Sequence, residues 1–192
     1  MGAYLRGEGL PVRSTREPGG TPIGDAIREI LLRPESSDMA ALTEFFLYQA
    51  CRAQHIKEVL GPALDRGEIL LCDRFTDATL AYQAYGRGLE REWVHRINGI
   101  AAAGLVPDLT VLLDCPVELG LRRSWERLRR EGKAMEESRF EEETLAFHRR
   151  VREGYLEIAR QEPGRIKVVP SDRPAEAVKQ DVRGLVMPWI GR

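Results

Sequence analysis

An acidic and a basic residue directly follow a short apolar run in residues 69–74, ILLCDR. The run at 69–72 is typical of a buried strand in a parallel sheet. Ligands of such sheets bind just beyond the carboxyl ends of the strands. Asp73 and Arg74 are therefore predicted to lie where chemistry takes place. An Asp in this position also serves as an ordinary helix cap, so Asp73 alone does not distinguish the two roles.

The elements that position this pair alternate between strands and helices along the chain. Short apolar strands are predicted at 10–15, 69–73, 109–114 and 166–169. Helices are predicted at 21–32, 39–66, 90–103, 116–130, 140–161 and 174–187, with a kink or division at Gly61-Pro62. Residues 1–9 are typical of the last turns of a further helix. This alternation predicts an α/β fold with a parallel sheet and right-handed crossovers.

The composition indicates one globular domain, because 43% of the 192 residues are hydrophobic and 31% are charged. A formal net charge of -1 provides no basic field for nucleic acid. The three cysteines show neither metal-ligand spacing nor the even count of a disulfide framework, which favours a reducing cytoplasm. The sequence contains no apolar run of about 18 residues, so no membrane span is predicted. Arg6 and Glu8 interrupt the apolar residues that a signal peptide requires.

Residues 73–89, DRFTDATLAYQAYGRGL, resemble the thymidylate kinase signature DR(Y/F)xxSxxAYQGxGRGL. Ala78 and Ala84 depart from it, at positions where the family commonly has Ser and Gly. Residues 15–21, TREPGGT, match a second family segment fully, and residues 147–159, FHRRVREGYLEIA, are similar to a third. The resemblance covers essentially the whole chain. It implies one domain over 1–192 with a P-loop NTPase-like fold of the nucleoside-monophosphate kinase type, a parallel sheet flanked by helices.

The resemblance implies an acceptor site for dTMP. In TREPGGT the two glycines let the backbone approach a ligand closely, and Arg16 and Glu17 are expected to hold the phosphate and a sugar hydroxyl. An ordinary strand-to-helix turn is the alternative. Tyr48, where many members have Phe, is expected to stack on thymine. Arg52, at i+4 on the same helix face, is expected to hydrogen-bond the base; taken without the resemblance, such a pair is usually a surface or core contact.

Further substrate contacts are implied on the helix that follows the 69–73 strand. Thr79 is expected at the ring edge of the base, Tyr82 against the deoxyribose, and Gln83 on the base or the sugar. Arg74 is implied to bind the monophosphate. Asp73 is implied to organise Mg²⁺, its waters or the attacking phosphate oxygen. Phosphoryl transfer depends on electrostatic clamps more than on covalent chemistry, so no strong general base is required.

Basic residues outnumber acidic ones in residues 121–133, LRRSWERLRREGK. The ordinary interpretation is a solvated helix face with ion pairs. The resemblance instead implies a lid, at about 123–139, that closes over ATP and brings Arg to its phosphates. Arg123, Arg127 and Arg139 are the expected contacts, and Arg127 is the one assigned to catalysis. Ser138 stands where the family's DRxE motif has Asp.

The family's P-loop motif, GxxxxGK(S/T), does not occur in the 192 residues. Its backbone amides and Lys hold the phosphates of ATP. We expect that the chain lacks the family's first strand, P-loop and most of its first helix through truncation, and that it is impaired as written. In the family's strand order, 2-3-1-4-5, a missing first strand leaves the strands at 69–73 and 109–114 with unpaired edges, or forces them together.

The resemblance thus implies a thymidylate kinase of dTTP biosynthesis that phosphorylates dTMP to dTDP with ATP and Mg²⁺. The resemblance also implies a homodimer formed through helices, whereas the cysteines favour the cytoplasm, and the charge and hydropathy predict no nucleic-acid or membrane partner. Two alternatives stay open: a non-catalytic nucleotide-binding protein, and a kinase of another nucleoside monophosphate. Tyr48, Arg52 and Tyr82 favour a thymidine-type pocket over the second alternative.

Overall fold

A computed structural model describes residues 1–190, which form parallel strands flanked by helices. The strands are β1 (Val12–Arg16), β2 (Ile69–Asp73), β3 (Thr110–Asp114) and β4 (Ile166–Pro170). The α-helices are α1 (Gly2–Gly7), α2 (Pro22–Leu32), α3 (Ala41–His55), α4 (Gly61–Asp65), α5 (Thr76–Thr79), α6 (Arg91–Ala101), α7 (Val117–Arg130), α8 (Leu145–Gln161) and α9 (Ala175–Val186). Wider π-helical turns occupy Ile56–Leu60 and Leu80–Gly86, and 3-10 turns occupy Pro34–Ser36 and Met187–Trp189.

The predicted α/β organisation is confirmed, and the predicted strands agree with the observed ones to within two residues. The helix predicted at 140–161 is wrong at its start, because α8 begins only at Leu145. Thr144 caps this helix: its Oγ1 accepts a hydrogen bond from the Phe147 N–H at 3.2 Å. Such a cap satisfies one of the free N–H groups of the first turn and thereby defines where the helix begins.

The strands form two separate parallel pairs. β1 pairs with β2, from Val12 opposite Ile69 onward, and β3 pairs with β4, from Thr110 opposite Ile166 onward. Within residues 1–190, β2 and β3 share no ladder. The expectation from the sequence is that these two strands either have unpaired edges or are forced together. In the part of the chain that the structure describes, they are not paired with each other.

The main hydrophobic core lies where α8 packs against the Leu80–Gly86 segment, with Phe147, Val151 and Ile158 buried. Gly154 permits the closest approach of these two elements. A Cβ on Gly154 would lie 2.6 Å from Cγ of Tyr85, closer than real Cβ contacts come. None of the helices in the described chain is both long and apolar enough to cross a membrane.

An ion pair connects the two strand pairs. Arg165, just before β4, donates to both carboxylate oxygens of Asp77 in α5, at 2.7 and 2.9 Å. Thr110, at the start of β3, donates to the same carboxylate at 2.8 Å. Asp77 is buried, and a bidentate Arg–carboxylate pair of this kind fixes orientation as well as distance. The helix after β2 is thereby held against the β3–β4 pair.

Candidate active site

The carboxyl ends of β1 and β2 are tied together at the predicted reaction site. The backbone N–H of Glu17 donates to the carbonyl of Asp73 at 2.9 Å. The chain then turns sharply at Arg74, whose φ of 67° lies in the left-handed region that non-glycine residues rarely adopt. Such strained backbone is found preferentially at ligand sites. The turn carries the Arg74 guanidinium over the ring of Tyr82, 4.8 Å from the ring centroid.

A narrow pocket at this turn brings together almost all of the predicted acceptor-site residues. It is lined by Glu17, Tyr48, Arg52, Arg74, Phe75, Ala78, Thr79, Tyr82 and Gln83. The cavity measures about 10 Å³, which is the space of roughly one water molecule. A nucleobase therefore enters only if the side chains around it move.

A larger cleft of about 670 Å³ adjoins this pocket, within the size range of small-molecule sites. It runs from the ends of β1, β2 and β3 to the segment after α7. The three residues assigned to catalysis, Asp73, Arg74 and Arg127, all line it, and so does Arg16. The structure therefore brings the predicted clamp, metal ligand and lid residue to one space.

Arg52 is 1% exposed and its donors already have partners in this structure. Nε donates to Oε2 of Glu17 at 2.9 Å, Nη2 forms an ion pair with the same oxygen at 2.8 Å, and Nη2 donates to Oγ1 of Thr79 at 3.0 Å. Nη1 donates to the side-chain oxygens of Gln49 and Asn98. A guanidinium has five N–H groups, so a hydrogen bond from Arg52 to a base requires the exchange of one of these contacts.

Glu17 lines the predicted acceptor pocket, and its carboxylate is engaged by the protein in this structure. Its side chain is buried, and its two oxygens are held by Arg52 and by Nδ1 of His55, the latter at 3.0 Å. A carboxylate repels a phosphate but accepts a hydrogen bond from a hydroxyl. The contact of Glu17 with the sugar hydroxyl therefore stays a prediction, and it requires the exchange of a present partner.

Gln83 is likewise engaged by the protein, since its Nε2 donates to Glu44 at 2.9 Å in the buried core. Tyr48 and Tyr82 instead line the pocket. Their ring centroids lie 6.5 and 5.6 Å, respectively, from that of Phe140. Burial raises the pKa of Tyr48, so its phenol stays protonated. The pocket lining thus combines the aromatic rings of Tyr48 and Tyr82 with polar side chains.

Two of the predicted lid contacts are engaged by the protein in this structure. Arg139 is buried; it donates to the carbonyls of Ser36 and Leu31 at 2.8 and 3.0 Å and to Glu44 at 2.6 Å. Arg123 donates to the carbonyl of Ser171 at 2.8 Å, and neither Arg123 nor Arg139 lines the cleft. In this structure the donors of Arg139 anchor the end of the lid segment to α2 and α3, and its contact with ATP stays a prediction that requires the exchange of these partners.

Sequence reasoning missed one wall of the cleft, formed by a stripe on α8. His148, Arg152 and Tyr155 lie at i, i+4 and i+7 and all line the cleft. Arg152 donates to both oxygens of Asp114 at 2.7 and 2.8 Å. Burial raises the pKa of Tyr155, which keeps its hydroxyl available as a donor. The spacing of these three polar residues within 147–159 places them on one helix face, and this pattern could have predicted their place in the site.

The residues that fit a magnesium ion are the carboxylates at the strand ends. Asp73 is exposed in the cleft, and its carboxylate makes no hydrogen bond within residues 1–190. Mg²⁺ is commonly held by one or two carboxylates together with substrate phosphates, so Asp73 suits it. Glu17, His55 and Cys72 also offer ligand atoms within 4.8 Å of one another. The positive charge of Arg52 on Glu17 opposes a cation there.

Comparison with known proteins agrees with this geometry. The family model described as thymidylate kinase matches residues 2–182. The thymidylate kinase of Desulfovibrio desulfuricans is 46% identical over 189 residues, covering 98% of this chain and 87% of the relative. Those of Trichlorobacter lovleyi and Syntrophotalea carbinolica are 51% and 52% identical, covering 92% and 91% of this chain and 83% and 80% of the relatives. With the signature residues gathered at one strand edge and this similarity along nearly its whole length, the chain belongs to the thymidylate kinase family, whose members are phosphotransferases with the P-loop NTPase fold.

Proposed function

We propose that this chain binds dTMP and phosphorylates it to dTDP with ATP and Mg²⁺. One observation carries the proposal: signature residues from α3, from the turn after β2 and from the following helix converge on one pocket beside a large cleft. The cleft lies beyond the carboxyl ends of parallel strands, where ligands of this fold class bind. The names of the relatives, thymidylate kinase, agree with this substrate.

The phosphate of dTMP is proposed to bind at Arg74. The guanidinium is held above the Tyr82 ring at the mouth of the pocket, and its planar donor fork matches phosphate oxygens. Asp73, next to it and free of side-chain partners in the described chain, is the group that would hold Mg²⁺. When bound, the ion neutralises charge on the phosphate oxygens. Arg127, which also lines the cleft, is the lid residue proposed to approach the transferring phosphoryl group.

The thymine ring is proposed to lie in the narrow pocket against Tyr48. A flat aromatic ring supplies stacking area. Thr79, whose oxygen already accepts from Arg52 at 3.0 Å, retains a hydroxyl proton to donate to the edge of the base. Tyr82 is proposed to face the sugar. Gln83 and Arg52 contribute to the base site once their present partners are exchanged.

Calorimetry of the purified chain with dTMP and dCMP tests the acceptor assignment. We expect dTMP to bind more tightly, because the two bases differ in the polar edge that Thr79 and Arg52 face. Equal affinity for the two nucleotides would contradict a thymine pocket and favour a kinase of another monophosphate. A coupled assay of ADP release from ATP and Mg²⁺ separates a kinase from a protein that only binds the nucleotide.

A homodimer is proposed through α3 and α6. Leu42 and Phe46 are 45% and 49% exposed on α3, and Phe46 packs edge-on against Trp93 of α6 at 5.9 Å. An apolar patch on neighbouring helices is typical of a protein interface. Sedimentation of Phe46→Glu should show a shift toward monomer.

The three free cysteines suit the reducing cytoplasm, which is the proposed location of the protein.

A further inference from the structure

His55 occupies an unusual place behind the acceptor pocket. Its side chain is completely buried at the end of α3. One ring nitrogen, Nε2, lies 2.7 Å from Oγ1 of Thr15, and the other, Nδ1, lies 3.0 Å from Oε1 of Glu17. The other oxygen of Glu17 holds Arg52. These contacts form a continuous chain from Thr15 in β1 through His55 and Glu17 to Arg52 in the pocket.

The chemistry of the partners assigns the proton between His55 and Glu17. An ionised carboxylate only accepts hydrogen bonds, so Nδ1 of His55 carries the proton that it donates to Glu17. Nε2 then faces the Thr15 hydroxyl, which can donate a hydrogen bond to it or accept one from it. The imidazole therefore has a fixed orientation.

A hydroxyl, an imidazole and a carboxylate in this order also occur in nucleophilic catalysis, but access excludes that role here. A Cβ on Gly20 would lie 2.9 Å from Oγ1 of Thr15 and 2.8 Å from Nε2 of His55, so the loop backbone lies directly against both atoms. Neither Thr15 nor His55 lines the pocket or the cleft. The contacts lead instead toward Arg52.

We propose that His55 is a positioning residue for base recognition, which acts by holding Glu17 and, through it, the plane of the Arg52 guanidinium. This inference rests on the proposed function, in which Arg52 lies at the thymine edge. His55 fixes one oxygen of Glu17 and leaves the other to accept from Nε of Arg52 and to pair with its Nη2. Without the bond from Nδ1, the Glu17 carboxylate is free to rotate, and Arg52 loses its ionic partner while its contacts with Gln49, Asn98 and Thr79 remain.

Two amide substitutions of His55 separate this role from simple packing. In His55→Asn the amide nitrogen lies near the position of Nδ1 and keeps the bond to Glu17. In His55→Gln it lies near the position of Nε2 and loses that bond. Calorimetry with dTMP and with 2-deoxyribose 5-phosphate, which lacks the base, measures the effect on base recognition alone.

We expect His55→Gln to weaken dTMP binding about tenfold, as loss of one hydrogen bond does, and to leave 2-deoxyribose 5-phosphate binding unchanged. His55→Asn should restore most of the dTMP affinity. Equal losses in the two variants, or an equal loss for both ligands, would overturn the positioning role. Thr15→Val provides a milder variant should His55→Gln not fold, with a smaller loss for dTMP only.

A second measurement needs no nucleotide and so separates this inference from the proposed function. The Nε–H proton of Arg52, held by Glu17 at 2.9 Å, should exchange slowly with water by NMR in the unsubstituted chain and in His55→Asn. It should exchange faster in His55→Gln. Unchanged exchange in His55→Gln would refute the inference even if dTMP binds. Failure of the unsubstituted chain to bind dTMP would refute the proposed function. The NMR comparison of proton exchange would still test the role of His55.

Discussion

The guanidinium of Arg139 lies 2.6 Å from the carboxylate of Glu44, across 95 residues of sequence, and both side chains are almost completely buried. The Glu44 carboxylate also accepts hydrogen bonds from Arg87 and from Gln83, each at 2.9 Å. The segment after the lid is thereby fixed to α3, next to the aromatic residues of the acceptor pocket. The movement proposed for the lid is consequently restricted to the residues before Arg139.

Removing one partner of this buried pair should destabilise the fold strongly. Arg139→Leu removes the closest cation of the Glu44 carboxylate and leaves Arg87 as its remaining cationic partner; breaking a buried ion pair costs up to about 3–5 kcal/mol. Urea unfolding of the variant measures the loss. Arg122→Leu is the matched control: its pair with Glu126 is 4.0 Å long and about two-thirds exposed, so its effect should stay below about 1 kcal/mol. Equal losses in both variants would contradict the anchoring role.

The close approach of α8 to the Leu80–Gly86 segment predicts a second stability effect. Gly154→Ala places a methyl group 2.6 Å from the Tyr85 ring, and such overpacking costs about 1–3 kcal/mol. Gly184→Ala, in α9 with no atom within 4 Å of the new Cβ, should instead stabilise by about 0.4–1 kcal/mol through the unfolded chain. Thermal unfolding of the two variants should therefore shift in opposite directions, and shifts in the same direction would show that the helices separate readily.

Arg74→Ala tests the phosphate clamp. Losing a charge-assisted hydrogen bond should weaken dTMP binding by about 1.5–3 kcal/mol. Thymidine has no phosphate, so its affinity should not change. Calorimetry with the two ligands gives the comparison. A parallel loss for thymidine would mean that Arg74 acts through the Tyr82 ring, 4.8 Å away, and not on the phosphate.

The stability of the fold should depend on pH through His148. Burial lowers the pKa of its imidazole, and its Nε2 is buried without a partner in the described chain. Since the unfolded chain has an ordinary pKa of about 6.5, it binds more protons than the folded chain below that pH. The contribution of His148 is thus fully present above about pH 6.5 and is lost as the pH falls through the folded pKa.

Measurement of the unfolding free energy between roughly pH 7 and pH 5 checks this sign. We expect His148→Gln to flatten the dependence, because the neutral amide has no proton to gain. The NMR titration of the His148 ring gives the pKa directly. A value at or above the ordinary one would contradict the prediction.

The sequence alone determined the order of strands and helices and predicted where the site lies. Alternating apolar runs predict the strands, since burial of a strand requires local hydrophobicity, and the position of Asp73 and Arg74 after such a run predicts the strand-end site. The spacing of Tyr48 and Arg52 puts them on one helix face because an α-helix repeats every 3.6 residues. These inferences use only interactions between near neighbours in the chain, which the sequence displays directly.

Only the tertiary structure decided how the polar side chains are paired. Glu17 and Arg139 have the same local signatures as ligand-binding residues, yet each is engaged by a residue far away in sequence, Arg52 and Glu44 respectively. His55, which no local pattern singled out, is buried between β1 and Glu17. Charges excluded from water must be neutralised by whatever group the packing brings within reach. That group depends on how distant elements meet, and no short stretch of sequence specifies it.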